Sequence, residues 1–583
     1  MRNLARCAVI FAFAAFGLGS IGATAQTTRP NIVLILVDDA ALMDFGAYGG
    51  EAQTPNIDAL ASRGVIFTQY RTSPMCAPSR AMLLTGRDSH VAGIANLPEF
   101  LPKRYRSIPG YRGHLEPGVT TLATHLQTAG YRTFMTGKWH LGHGEGELPN
   151  AHGFDRSFAL DASGADNWRH KAYLPIYPAD LWFEDGIKAI RPDGIYSSEF
   201  LVDKLIEYIN EDTGESSPFF AYLAFQAIHI PVQAPAGYAE KYQTVYSEGW
   251  DTLRQSRWEK AQTLGLVPEN APLAPMLPKM KRFEKLSADK RELAVNSMAL
   301  NAAMLEAMDE QIGRLVSHID SRGQLSHTVF VITSDNGPAS SDPLGDRMTR
   351  GWIKRAGYEI SADALDQDNA YAAIGPEWAN AAASPSNFFK FYAGDGGLRV
   401  PLIVSGGGLK ATRKTDARSF VTDIAPTLMA MAGVDPDPGM TGRNLVPVLS
   451  GASSTVYAPD EPVAIEAAGH AAVLKGDLKL VRNMPPLGDG TWHLYDISSD
   501  PGETINLAET RPDEFEALRE DYEAYALKVG VMEMPKGYQT HRQLVRNLIA
   551  QRLAKWGWVL ILLGMAAVIG LAWLGRWAWR RYH

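Results

Sequence analysis

Cys76 is flanked by residues that could turn a side chain into a reaction centre. It stands in Ser73-Pro-Met-Cys-Ala-Pro-Ser-Arg80, which runs on to Leu84-Thr-Gly-Arg87. Pro78 suits the start of a helix, because its φ is fixed and its missing N–H is not needed there. The pattern predicts a helix that begins just after Cys76. Unpaired backbone N–H groups and the helix dipole then converge on that residue and favour an oxyanion. Arg80, one turn on, faces back toward the same end. Read from these residues alone, Cys76 is either an activated thiolate or a buried, inert thiol.

A second set of residues offers oxygen. Asp38-Asp39 ends one apolar run, and Ser334-Asp335-Asn336-Gly337 ends another. Carboxylates with an amide oxygen suit a hard cation. Histidine is missing from both clusters, which argues against a zinc pair. Calcium is favoured, with magnesium or manganese as alternatives. Lys138, His140, His229 and Lys390 are each unremarkable alone: a histidine is more often structural, and a lysine a surface cation. Their weight comes from their joint order with Cys76.

Cys76-Ala-Pro-Ser-Arg80 with the downstream Leu-Thr-Gly-Arg resembles the maturation signature of type I sulfatases, the formylglycine-dependent family of the alkaline phosphatase superfamily. Further elements follow in order. Asp38-Asp39 looks like the family's paired metal carboxylates. Gly137-Lys-Trp-His-Leu-Gly142 matches its Gly-Lys-Trp-His-Leu-Gly element, His229 before Pro231 its distal histidine, and residues 334–337 its second metal element. Gly375-Pro-Glu-Trp-Ala379, Ser384-Pro385, Lys390 and Gly396-Gly-Leu-Arg-Val-Pro401 are similar to the bacterial arylsulfatase branch. The resemblance covers roughly residues 30–508. It implies that a separate formylglycine-generating enzyme oxidises Cys76 to formylglycine. It implies metal ligands Asp38, Asp39, Cys76, Asp335 and Asn336, and catalytic roles for Cys76, Arg80, Lys138, His140, His229, Asp335 and Lys390. Of these, Arg80, Lys138, His229 and Lys390 would bind the substrate, a small sulfate ester. The nearest rival is a phosphonate or phosphate ester hydrolase of the same superfamily. A non-catalytic binder of sulfate ligands is a second.

These residues need a frame to hold them. Residues 32–37, 219–225 and 328–333 read as buried parallel strands, each ending on a polar group. Helical stretches lie at 56–63, 120–129, 197–210 and 296–317. The alternation predicts an α/β fold, a large, mostly parallel sheet sandwiched by helices, with ligands at the strands' carboxyl ends. Residues 242–285 read as an irregular insertion over the core, either a pocket wall or a surface excursion. After 451 come short runs at 463–465, 472–474, 479–481 and 493–495, then a helix at 512–529. These predict a small antiparallel sheet with one helix. The division expected is a catalytic domain at 26–451, a subdomain at 452–535 and a basic linker at 536–555.

Both ends bear on location. Arg2, Arg6, the apolar run 8–16 and Ala23-Thr-Ala25 read as a signal peptide at 1–25. Cys7 leaves with it, so the exported chain holds only Cys76 and forms no internal disulfide. Residues 556–575 carry no charge, and a transmembrane helix is expected at 556–577. Trp556, Trp558, Trp573, Trp577 and Trp579 mark its edges, and Arg576, Arg580 and Arg581 lie beyond the apolar run. The expectation is an inner-membrane anchor with the catalytic part in the periplasm. Cutting the chain after Gly537 is then expected to free a soluble unit with unaltered turnover. The net charge of -8 excludes nucleic acid as the main partner. The sequence names neither the alcohol half of the substrate nor an oligomeric state.

Overall fold

A computed structural model describes residues 29–177, 181–211, 217–364, 367–409 and 413–582. The expected signal peptide lies outside the described residues.

The centre is a ten-stranded sheet. In chain order its strands are β1 (Asn31–Val37), β2 (Gly64–Phe67), β3 (Arg132–Lys138), β4 (Arg156–Leu160), β5 (Trp182–Glu184), β6 (Ile187–Ala189), β7 (Phe219–Ala224), β8 (Thr328–Ser334), β9 (Leu402–Gly406) and β10 (Arg413–Thr415). Across the sheet the order is β10-β2-β9-β8-β1-β7-β3-β4-β5-β6. The block from β8 to β4 is parallel. Strand β9 and the hairpin β5–β6 are antiparallel.

A parallel strand covered on both faces has no reason to alternate apolar with polar residues, and β1 does not. Ile32, Leu34 and Leu36 enter one apolar layer; Val33, Ile35 and Val37 enter the other. On the second face lie α1 (Pro55–Ala61), α4 (Ser197–Asn210) and α7 (Ala288–Ser321). On the first lie α2 (Cys76–Thr85) and α3 (Leu122–Thr128). The described architecture is the α/β sandwich expected.

Three local expectations change. Cys76 is the first residue of α2, not the residue before it, and Pro78 is the third. The helix tolerates this because Pro78 still falls among the first N–H positions, which have no intrahelical partner. Helix α7 starts eight residues earlier than expected, at Ala288. The 242–285 insertion is half helical: α5 (Glu240–Tyr246) and α6 (Trp250–Thr263) fill its first part. It is a brace. Arg254 donates to the carbonyls of Ala274, Asn380 and Ser386 at 2.7, 2.5 and 3.1 Å. Arg257 donates to Asp44 and to the Ala382 carbonyl, both at 2.8 Å. The segment leading to Lys390 is thereby fixed.

The small sheet has order β11 (Val463–Ala467), β12 (His470–Lys475), β13 (Leu478–Arg482), β14 (Trp492–Asp496), all antiparallel. Leu518 and Tyr522 of α8 (Pro512–Val529) pack on Val473, Leu480 and Leu494. Buried charges join it to the large sheet's unit. His90 bridges Asp88 at 3.0 Å and Glu466 of β11 at 2.8 Å. Lys479 of β13 meets Asp395 at 2.7 Å, and Asp395 also holds Arg71.

The last element is α9 (Thr540–Tyr582), 43 residues long. At about 1.5 Å per residue it reaches about 65 Å. Linker and expected span form one helix, whose stretch Ile561–Tyr582 is long and apolar enough to cross a membrane, with mean hydropathy 1.7 and nothing packed over it.

Candidate active site

The strands deliver their polar ends to one place. Val37 pairs with Ser334 and Gly137 with Ala224, so the carboxyl ends of β1, β8, β3 and β7 are level. Asp38-Asp39, Asp335-Asn336, Lys138 and His229 leave from those ends. Gly137 allows this approach. Its φ is +108°, and a Cβ there would lie 1.8 Å from the Ala224 carbonyl oxygen. Helix α2 brings its amino end to the same point. Ser79 Oγ fixes the preceding turn, accepting from Ser73 N at 3.0 Å and donating to Ser73 O at 3.1 Å.

Ligand atoms of Asp38, Asp39, Cys76 and Asp335 lie within 4.8 Å of one another, all buried. Three basic side chains surround them. Lys138 Nζ meets Asp38 Oδ2 at 2.5 Å, and Lys390 Nζ meets Asp39 Oδ1 at 2.5 Å. Arg80 donates from Nε to Asp335 Oδ2 at 2.9 Å and from Nη1 to the Lys138 carbonyl at 2.8 Å. Asn336 Nδ2 donates to Asp39 Oδ1 at 2.6 Å. Asp39 itself sits at φ +71°, in the left-handed region, a strain typical of functional positions.

The cluster has acceptors to spare. Asp38 Oδ1, Asp39 Oδ2 and Asn336 Oδ1 are buried without a hydrogen-bond partner. Orphaned buried acceptors are costly, and three around one point suit a cation. The set is all oxygen apart from Cys76, which fits a hard ion. Three carboxylates against three basic groups leave the site balanced. A dication would leave it positive, and so receptive to an anion.

Burial raises the Asp38 pKa, but Lys138, Arg80 and Lys390 outweigh it and the net shift is downward. Burial pushes Asp335 upward, and the Asp38 charge adds to that. Burial raises the Cys76 thiol to about 12 despite Lys138 and Lys390. Burial thus holds the encoded thiol toward its protonated form in this site.

Both histidines are present. His140, at φ +59°, sets Nε2 3.2 Å from Glu99 Oε1, while its buried Nδ1 has no partner. Burial lowers its pKa against the pull of Glu99. Neutral His140 with Nε2–H on Glu99 leaves Nδ1 as a base. His229 sets Nε2 3.8 Å from Asp39 Oδ2, and its Nδ1 is 2.9 Å from the Ile230 carbonyl. Burial and then Lys390 hold it well below the ordinary histidine range. Every residue singled out from the sequence thus lies in or beside one buried cluster.

Two residues were not foreseen. Glu99 holds His140 and accepts from the Tyr177 hydroxyl. Tyr177 also reaches Ser163 Oγ at 2.8 Å. Neither stands in a motif, and no spacing marks them.

The sulfatase family profile matches residues 30–434, and a profile for the C-terminal part of N-sulphoglucosamine sulphohydrolase matches 386–528. An uncharacterised sulfatase of Schizosaccharomyces pombe is 35% identical over 542 residues, covering 88% of this chain and 96% of its own. An arylsulfatase of Klebsiella aerogenes is 33% identical over 442 residues, covering 75% and 93%. The crystal structure of Ps i-CgsB in complex with k-i-k-neocarrahexaose shares the fold, with TM-score 0.60 and 22% identity over 86% of this chain and 93% of that one. With the family profile covering most of the chain and two relatives above 30% identity matched over three quarters of it or more, the chain belongs to the sulfatase family and is a sulfuric ester hydrolase.

Proposed function

We propose that this sulfatase works through a formylglycine made from Cys76 by a separate formylglycine-generating enzyme. A divalent cation, calcium first, would be held by Asp38, Asp39, Asp335, Asn336 and the modified Cys76. The observation that carries this reading is the trio of unpartnered buried oxygens beside Cys76 at the start of a helix. When present, the hydrated aldehyde supplies one hydroxyl to attack sulfur and a second to expel sulfate, and the cation acts as a Lewis acid.

The chain's own residues would do the rest. Arg80, Lys138 and Lys390 offset the negative charge of the sulfuryl oxygens in a water-poor site. The Asp335 carboxylate takes the proton of the attacking hydroxyl. His229 Nε2 gives a proton to the leaving oxygen, with the ring held by the Ile230 carbonyl. His140 takes the second proton at Nδ1, with Glu99 holding Nε2–H. The arylsulfatase relative supports an aryl sulfate as the first substrate to assay. Helix α9 supports a membrane-anchored enzyme, and the signal-peptide pattern of residues 1–25 supports export across the inner membrane, with the catalytic part facing the periplasm.

The decisive experiment is the mass of the Cys76 peptide together with sulfate release. Conversion of the thiol to an aldehyde removes about 18 Da. Cys76→Ala is expected to stay folded and lose turnover, whereas full activity in that variant would end the formylglycine reading. Parallel assays with aryl phosphate test the phosphate-ester alternative.

A further inference from the structure

Glu99 stands in a turn, residues 98–101, outside any strand or helix. That turn touches the catalytic groups twice. The Glu99 carboxylate carries His140 and Tyr177. The Phe100 ring packs edge-on against Phe391, next to Lys390, with centroids 5.5 Å apart. A small shift of this turn would move both the proton acceptor and the segment bearing a substrate-binding lysine.

The turn is held from outside by the C-terminal tail. Three successive carbonyls accept from it. Asn547 Nδ2 on α9 donates to Glu99 O at 2.8 Å and to Leu101 O at 3.1 Å. The buried Tyr538 donates from its hydroxyl to Phe100 O at 3.0 Å. Gln543, one turn before Asn547 and also buried, donates to Asn547 Oδ1 at 2.9 Å and so aims its amide. The hold extends along the same segment, since the Tyr105 hydroxyl donates to Glu533 O at 2.7 Å. From Asn547 the same helix runs about 21 Å, at about 1.5 Å per residue, to the apolar stretch that starts at Ile561.

We propose that Asn547 is a positioning residue of the active site: by clamping the Glu99 turn it fixes His140, so the first turns of α9 belong to the catalytic unit. The roles of Glu99 and His140 rest on the function proposed above; the clamp rests on contacts alone. An anchor need not touch the active site, so these bonds call for a second role. A carbonyl pair held by one amide resists the displacement of a fraction of an ångström that a placed base cannot tolerate.

The test uses the full-length enzyme in detergent, with Asn547→Ala, Asn547→Gln and the milder Tyr538→Phe. Backbone hydrogen exchange of the 96–105 peptide is measured beside kcat and KM for an aryl sulfate. Asn547→Ala is expected to speed exchange there and to lower kcat by about tenfold or more, with KM within about twofold. Asn547→Gln, which keeps the donors, is expected to recover part of kcat, and Tyr538→Phe to loosen the turn less. A Glu99→Gln, Asn547→Ala double variant is expected to lose less kcat than the product of the two single losses. Unchanged exchange and kcat in Asn547→Ala, with Cys76→Ala inactive, overturns the clamp and leaves the proposed function standing. Turnover by Cys76→Ala sinks that function instead, while faster exchange in Asn547→Ala still supports the clamp.

Discussion

His229 combines two demands that pull apart. Protonating a leaving oxygen needs a proton on Nε2, yet burial and Lys390 hold the ring neutral in the substrate-free site. On the function proposed above, an anionic ester bound beside Lys390 would offset the Lys390 charge, the second cause of that shift after burial, and so favour the protonated ring. His229→Ala is then expected to slow esters with poor leaving groups by about a hundredfold or more, and activated phenyl sulfates much less, because a good leaving group needs no acid. The plot of log kcat/KM against leaving-group pKa should steepen; equal losses along the series would remove His229 from this role. The metal set makes a separate prediction. Asn336→Ala removes one of three orphaned oxygens but no charge. It should weaken calcium binding by calorimetry and reduce turnover, which excess calcium restores; calcium affinity equal to the parent's would take Asn336 out of the ligand set. Nine of the ten residues chosen from the sequence lie together because strand ends and one helix start carry them, and such positions leave a local pattern; Lys390 comes in from a turn between two short helices. Glu99 left none: a glutamate in a turn acquires meaning only from a histidine brought to it by the fold.

At the scale of elements, His90 is where charge and packing meet. It is buried between Asp88 and Glu466, and Tyr525 of α8 donates to Asp88 at 2.8 Å. Burial alone would lower its pKa, but hydrogen bonds to Asp88 and Glu466 and their charges raise it to about 10. A folded-state pKa above the unfolded value of about 6.5 adds stability that is full below about 6.5 and is lost as pH rises through about 10. Asp88, shifted down, works the other way and is lost only in acid. The melting temperature should therefore fall between pH 6.5 and 10 by more in the parent protein than in His90→Gln, which cannot charge. Parallel curves across that window would mean that the bridge is neutral. Nothing local predicts such a bridge: Asp88 is two residues from His90, but Glu466 is 376 residues away. The elements themselves were legible where a single period or a buried run ruled, as in β1, β8 and α4. The 242–285 segment was not. Its prolines and tryptophans disguise α5 and α6, and Trp250 is buried by Phe283 at the far end of the segment and by Trp378 from outside it, not by its own periodicity.

On the scale of the whole molecule, the tail decides where the enzyme can be cut. A cut after Gly537, the boundary the sequence suggests, removes the basic linker and the apolar stretch together. It also removes Tyr538, Gln543 and Asn547, whose bonds hold the Glu99 turn. The composition of 536–555 gives no warning of this, because a basic run reads as a spacer and its polar contacts are made to a turn more than 400 residues earlier. A cut after Lys555 keeps those contacts and still removes the stretch Ile561–Tyr582. Both truncated proteins should leave the membrane fraction for the soluble one, since no other described helix is long and apolar enough to span a bilayer. They should then differ in turnover. The chain ending at Lys555 is expected to keep the kcat of the full-length enzyme within about twofold for a small aryl sulfate. The chain ending at Gly537 is expected to fall by about tenfold or more with KM little changed, matching Asn547→Ala. Equal kcat in the two soluble proteins would reduce α9 to a tether. Retention of the Lys555-terminated protein in the membrane would place the anchor in a different part of the chain.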